Sequence, residues 1–180
     1  MAFWQNPELE PKRAYRFLLR VNGGGNAVRL PEFLIKKVSK PSFEISESPH
    51  NFLNHTFYYP GKVTWDTVSF TVVDVLSGGA NGIDAAGAVN QLLFDSGYQI
   101  PRANERDNRS TVSKKQSVKS LGSIEIAQIN SKGDEIETWT LNNPWIKDVK
   151  FGELDYSSEE MVNVEIMIRY DNAKRSPGPQ

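Results

Sequence analysis

His50 and His55 are the only two histidines in this chain of 180 residues, and cysteine is absent. Thiolate zinc sites, iron–sulfur clusters, disulfides and cysteine nucleophiles are therefore excluded, and so is a metal site of three histidines. The two imidazoles stand five residues apart, neither one helical turn apart nor on one strand face, so they read as hydrogen-bonding side chains ahead of metal ligands. Asp155, Glu159 and Glu160 lie close in sequence. Adjacent carboxylates on an extended chain point apart, however, and no neighbouring group raises a pKa for general acid–base work. The run Gly78-Gly79-Ala80-Asn81-Gly82 lacks the Lys-Ser/Thr ending of a phosphate-cradling loop and the spacing of a dinucleotide fingerprint, which leaves a plain connection. No catalytic residue, metal or cofactor is expected.

Charge carries more information than chemistry here. The balance is 21 basic against 22 acidic residues, a formal charge of −1, so the chain as a whole predicts neither a nucleic-acid binder nor an anionic-membrane binder. Locally the signs separate. Residues 101–119 hold six basic and two acidic residues, and residues 122–165 hold three basic and ten acidic. Arg102, Arg106, Arg109, Lys114 and Lys115 have no aromatic between them for base stacking, so that loop reads as solvated or facing a partner protein. Opposite patches on one near-neutral chain suit contacts between copies.

The elements that would carry these residues are mostly strands. Tyr15, Phe17, Leu19 and Val21 alternate with Arg16, Leu18 and Arg20, Phe43 and Ile45 with Ser42, Glu44 and Ser46, Val68, Phe70 and Val72 with Thr67, Ser69 and Thr71, and Val162, Val164, Ile166 and Ile168 with Asn163, Glu165, Met167 and Arg169. Residues 123–129 and 135–141 are strand-like around an Asn-Ser-Lys-Gly-Asp turn. Tyr59-Pro60-Gly61-Lys62 predicts a hairpin turn between an aromatic-rich segment, 52–59, and a strand, 63–73. One helix is expected over 82–96, with Ile83, Ala86, Val89, Leu92 and Leu93 on its apolar stripe, Asn81 as cap and Gly97 as stop. Residues 101–119 predict a long exposed loop with at most a short helix. About seven strands with one inserted helix make a mainly β protein, an antiparallel β-sandwich or barrel. The expected organisation is an N-terminal arm over 1–12, a β-barrel domain over 13–172 and a flexible tail over 173–180. The start of the chain has no basic segment followed by an apolar run, so no secretory signal is expected.

From 15 to 171 the sequence resembles the tail-tube protein family of contractile-tailed bacteriophages, relatives of the type VI secretion tube subunit. The landmarks are Arg13-Ala-Tyr-Arg-Phe-Leu-Leu-Arg20, Val38-Ser-Lys-Pro-Ser-Phe43, Phe52-Leu-Asn-His-Thr-Phe-Tyr-Tyr-Pro-Gly61, Trp65-Asp-Thr-Val-Ser-Phe-Thr-Val-Val-Asp74, the segment 139–156 and Val164-Glu-Ile-Met-Ile-Arg-Tyr-Asp171. The resemblance implies a structural virion protein, not an enzyme. It forms hexameric rings that stack into the tube for DNA ejection, or a baseplate-proximal initiator ring of the same fold. A monomeric β-sandwich binding module is the competing class.

Implied partners are further copies of the chain, the tail sheath protein, the tape-measure protein, baseplate proteins, and double-stranded DNA passing without specific binding. The implied location is the virion tail, assembled in the host cytoplasm, with no membrane contact. On this resemblance residues 48–62 form a hairpin loop reaching an adjacent ring. Phe52, Leu53, Phe57, Tyr58, Tyr59, Pro60 and Gly61 are then stacking contacts, or else core side chains of the subunit itself. Strand alternation nominates Ser42, Glu44, Ser46, Thr67, Ser69, Thr71, Asn163 and Glu165 as a polar, lumen-lining face that avoids holding phosphates. The basic residues of 102–115 are assigned to a sheath or other partner.

Overall fold

The computed structural model describes residues 10–23, 31–75, 85–101 and 111–178. Alternating apolar residues pleat into strands whose alternate side chains share a face, and these strands dominate. They are β1 (Phe17–Asn22), β2 (Ile35–Val38), β3 (Phe43–Phe52), β4 (His55–Trp65), β5 (Val68–Val73), β6 (Ser123–Ile129), β7 (Glu135–Asn142), β8 (Trp145–Lys150), β9 (Asn163–Arg169) and β10 (Asn172–Pro177). Two helices, α1 (Ala85–Asp95) and α2 (Lys114–Leu121), and a 3-10 turn (Glu32–Leu34) complete the described elements.

Two four-stranded sheets face each other, in strand order β1-β6-β7-β10 and β2-β5-β9-β8, and every pairing is antiparallel. Among the described residues neither sheet closes on itself, so the subunit is an open sandwich and not a closed barrel. Between the sheets Leu19, Ile124, Ile126 and Leu141 meet Val68, Phe70, Val72, Val164, Ile166 and Ile168 in one buried cluster. Each such side chain contributes about 1.5–3 kcal/mol by leaving water.

Helix α1 buries Ala85, Ala88, Val89 and Leu92 against this core and leaves Leu93 exposed, so its inner stripe is rotated from the one expected. Asp74 at the end of β5 accepts a hydrogen bond from the Ala86 N–H at 3.3 Å. The expected cap Asn81 and the stripe residue Ile83 lie outside the described residues. Gly97, at φ 103°, follows the helix as expected.

Helix α2 is a second helix where the sequence reading allowed at most a short one. Its signal is local: Ser113 accepts from the Gln116 N–H, a serine-to-glutamine capping arrangement. Gly122 ends it at φ 74°, and a Cβ there would lie 1.9 Å from the Asn22 carbonyl oxygen, so glycine lets α2 turn directly into β6 alongside β1.

Two further differences concern register. Residues 173–177, expected to belong to a flexible tail, pair with β7 as part of β10, Asn172 opposite Asn142 through Pro177 opposite Glu137. The hairpin turn is not at 59–62. It falls at Leu53–Asn54, and β4 runs straight through Pro60 and Gly61. There Gly61 and Lys62 together oppose Ser46, a β-bulge, and a Cβ on Gly61 would meet Ser46 Oγ at 2.4 Å. Pro-Gly is a turn signal in isolation, but on a two-stranded ribbon the proline loses no essential ladder bond. The 52–59 and 63–73 segments are therefore not hairpin partners; β3 pairs with β4, and β5 starts afresh after Asp66.

Candidate assembly surfaces

Strands β3 and β4 form a sheet of their own in which every residue is exposed except Trp65. At ~3.4 Å per residue the ten residues of β3 extend roughly 34 Å. A bare two-stranded ribbon is marginal in water, so its base must be held. Phe43 packs against Trp65 with ring centroids 5.3 Å apart and planes tilted by 59°, and the Trp65 ring centroid lies 6.0 Å from that of the buried Tyr170. Ser42 Oγ donates to Asp66 at 2.9 Å across the base, and Ser46 Oγ accepts from the Lys62 N–H at 2.9 Å, fixing the bulge.

A second anchor was not visible in the sequence. Glu137 on β7 is buried and takes an ion pair from Lys12, one from Lys40 at 3.0 Å, one from Arg175 at 3.3 Å and the Trp139 indole N–H at 2.6 Å. Burial alone would raise its pKa. The hydrogen bonds from Lys12, Trp139 and Lys40 outweigh that and hold the carboxyl well below the usual range. Lys40 also donates to Gln128 on β6 at 2.7 Å. The segment entering β3 is thereby tied to β7 and β10 through one carboxylate and to β6 through Gln128. Strand alternation nominates Glu137 only as a core position, and the cations come from residues 125, 97 and 38 places away.

The residues nominated for stacking all lie on this ribbon. Phe52, Leu53, Phe57, Tyr58 and Tyr59 are exposed, with Leu53 at the tip 88% exposed. They are not core side chains of the subunit. Leu53 also has φ 53°, a conformation that glycine or asparagine adopts more easily. Pro60 and Gly61 sit at the bulge instead of a turn. His50 stands opposite Phe57 and His55 opposite Phe52, both exposed.

The nominated polar face divides. Ser69 and Thr71 on β5 and Asn163 and Glu165 on β9 alternate with buried residues, so they share the outer face of the β2-β5-β9-β8 sheet. Thr67 lies just before β5, Ser42 just before β3 at the base of the ribbon, and Glu44 and Ser46 on the ribbon itself. Register adds Lys37 opposite Thr71 and Lys150 opposite Glu165, whose charges lie 3.5 Å apart, so basic residues join the hydroxyls and acids of that face.

Of the nominated basic residues, Arg102, Arg106 and Arg109 lie outside the described residues. Lys114 pairs with Asp171 at 2.6 Å, and this hydrogen bond, with one from Asn143, lowers the Asp171 pKa. Lys115 is exposed on α2.

The fold superposes on chains of known structures. A chain of the anti-feeding prophage baseplate structure, six-fold symmetrised, superposes with a TM-score of 0.63 at 14% identity, over 93% of this chain and 97% of that one. A chain of the anti-feeding prophage tube-terminating cap structure gives 0.62 at 14% identity, over 93% and 92%. A chain of the sheath/tube terminator structure of an extracellular contractile injection system, PVC, gives 0.62 at 18% identity, over 93% and 97%. This chain has their fold. No protein-family model matches the sequence, and no curated protein matches it either.

Proposed function

We propose that this chain is a tube subunit, copies of which close side by side into a six-membered ring, with rings stacking into a hollow conduit. The observation that carries the reading is the β2-β5-β9-β8 sheet, whose four strands alternate in direction and whose two edge strands, β2 and β8, pair with no further strand among the described residues. Rotating one copy about a central axis brings its β8 beside the β2 of the next. An even number of alternating strands makes those two edges run in opposite directions, so the seam is antiparallel like every other pairing. Closure removes the edges that a lone subunit exposes.

The six-fold symmetry of the anti-feeding prophage baseplate structure supports six copies. Six sheets give about 24 strands, which at ~4.8 Å spacing and ~40° tilt make a wall roughly 48 Å across with a bore of about 40 Å. In this reading the ribbon reaches the adjacent ring with Phe52, Leu53, Phe57 and Tyr59. Ser69, Thr71, Asn163 and Glu165 line the bore, through which double-stranded DNA and a tape-measure protein pass as in a phage tail. The basic residues of 102–115 face a sheath. The ring stacks on a baseplate, in a virion tail assembled in the host cytoplasm, and the role is structural, with no catalysis.

Negative-stain electron microscopy with light scattering over a concentration series tests it. Rings of six-fold mass with an open bore are the expected result. A compact monomer at every concentration overturns the proposal.

A further inference from the structure

Residues 151–162, which join β8 to β9, are Phe-Gly-Glu-Leu-Asp-Tyr-Ser-Ser-Glu-Glu-Met-Val. Residues 151–161 are all exposed, including Leu154, Tyr156 and Met161. Glu153, Asp155, Glu159 and Glu160 bring four negative charges with no basic residue in the loop, and none of the four makes an ion pair among the described residues. The loop nevertheless has a set shape: Asp155 accepts from the Ser157 N–H at 2.9 Å and its hydroxyl at 2.8 Å, and Asn163 Nδ2 donates to the Met161 carbonyl at 2.9 Å. Leu154, Tyr156 and Met161, with Glu153, Asp155 and Glu160, line an open hollow of about 720 Å³. Apolar side chains held out in water around an unfilled hollow, with unpaired acids between them, describe one half of a contact.

The other half is on the far edge of the same sheet. Along β2 runs an open groove of about 710 Å³, lined by Tyr15, Phe17, Ile35, Val38 and Trp139, with Lys36 and Lys37 beside it. Both lysines are exposed and neither makes an ion pair among the described residues. Phe33, just before β2, is 81% exposed.

Topology puts loop and groove at the same end of the sheet. Ile35 at the start of β2 pairs with Val72, the next residue of β5, Val73, pairs with Asn163 at the start of β9, and Lys150 at the end of β8 pairs with Glu165. Loop 151–162 therefore leaves β8 at the end where β2 begins, three strands away in one copy. Across an antiparallel β8-to-β2 seam that end of β2 is the adjacent one.

We propose that loop 151–162 docks in the β2 groove of the next copy around the ring, its carboxylates meeting Lys36 and Lys37 and its apolar side chains covering Tyr15 and Phe33. This rests on the ring reading above and names the contact that orders its seam. Such a contact is heterologous, so it propagates around a ring and closes with it.

The test uses the full chain with Glu159→Lys/Glu160→Lys, with Lys36→Glu/Lys37→Glu, and with all four changes together. All sites are exposed, and circular dichroism confirms that each variant folds. Each double reversal is expected to raise the concentration at which rings form by about tenfold at ~0.15 M salt, and the four-fold variant is expected to return to within about threefold of the parent. Rings that form at the parent concentration in both double variants, or a four-fold variant no better than either, overturn the docking while leaving the ring reading intact. A parent chain that never forms rings overturns both.

Discussion

Phe70 on β5 and Phe57 on β4 are the same side chain on neighbouring strands of the sequence, yet one is 2% exposed and the other 52%. Phe70 has a second sheet above it, with Ile166 opposite on β9 in the same buried cluster. Phe57 has only His50 opposite on a two-stranded ribbon and no layer over it. Apolar character in a strand therefore marks a surface to be covered, and the topology decides whether the subunit covers it alone or leaves it for another molecule. In the sandwich the covering is internal. On the ribbon, the groove along β2 and the loop over 151–162, it is left open.

That contrast can be broken first from the inside. Phe70→Ala is expected to cost the isolated subunit about 3–5 kcal/mol, read as a lower denaturant midpoint, because the sandwich cannot collapse around the cavity. Next in size is the anchor between the two regions. Glu137→Gln leaves Lys12, Lys40 and Arg175 without their carboxylate, and a loss of about 2 kcal/mol is expected. Because the folded carboxyl has its pKa lowered, its stabilisation is fully present above the ordinary value of about 4.3 and is lost as pH falls below it. Urea titrations from pH 7 down to pH 3 should show a steeper acid loss for the parent than for the glutamine variant; parallel curves would remove Glu137 from the account.

At the tip the sign reverses. Leu53→Gly relieves the φ 53° conformation and should stabilise the monomer by about 1 kcal/mol, while removing an apolar contact from stacked rings. A thermal melt and a tube-length distribution by microscopy would show the two effects moving in opposite directions. The smallest effect on folding is expected from Phe57→Ala/Tyr59→Ala, below about 0.5 kcal/mol for side chains already in water. If that double variant unfolds as readily as Phe70→Ala, the ribbon is part of the core and the contrast fails.

Much of the sandwich was legible in advance. Val68-Phe70-Val72 and Val164-Ile166-Ile168 repeat with a period of two over enough residues that only a half-buried strand fits, and β6 and β7 bracket the Asn-Ser-Lys-Gly-Asp turn. The last strand was not legible: Asn-Ala-Lys-Arg-Ser-Pro has no apolar alternation, and it is a strand because β7 offers it an edge. Helix α2 was nearly so, its Ser113–Gln116 cap being readable but short of apolar residues.

The sequence by itself determined which residues must leave water, that strands would carry most of them, and that no cysteine or three-histidine chemistry is possible, because periodicity and composition are local properties. Only the tertiary structure decided where the chain reverses between β3 and β4, which cations gather on Glu137, and which apolar residues stay exposed. Those depend on register between residues far apart in the chain. Pro60-Gly61 carries the same local preference in a turn or a bulge, and the pairing of Ile45 with Val63 and Glu47 with Pro60 selects the bulge.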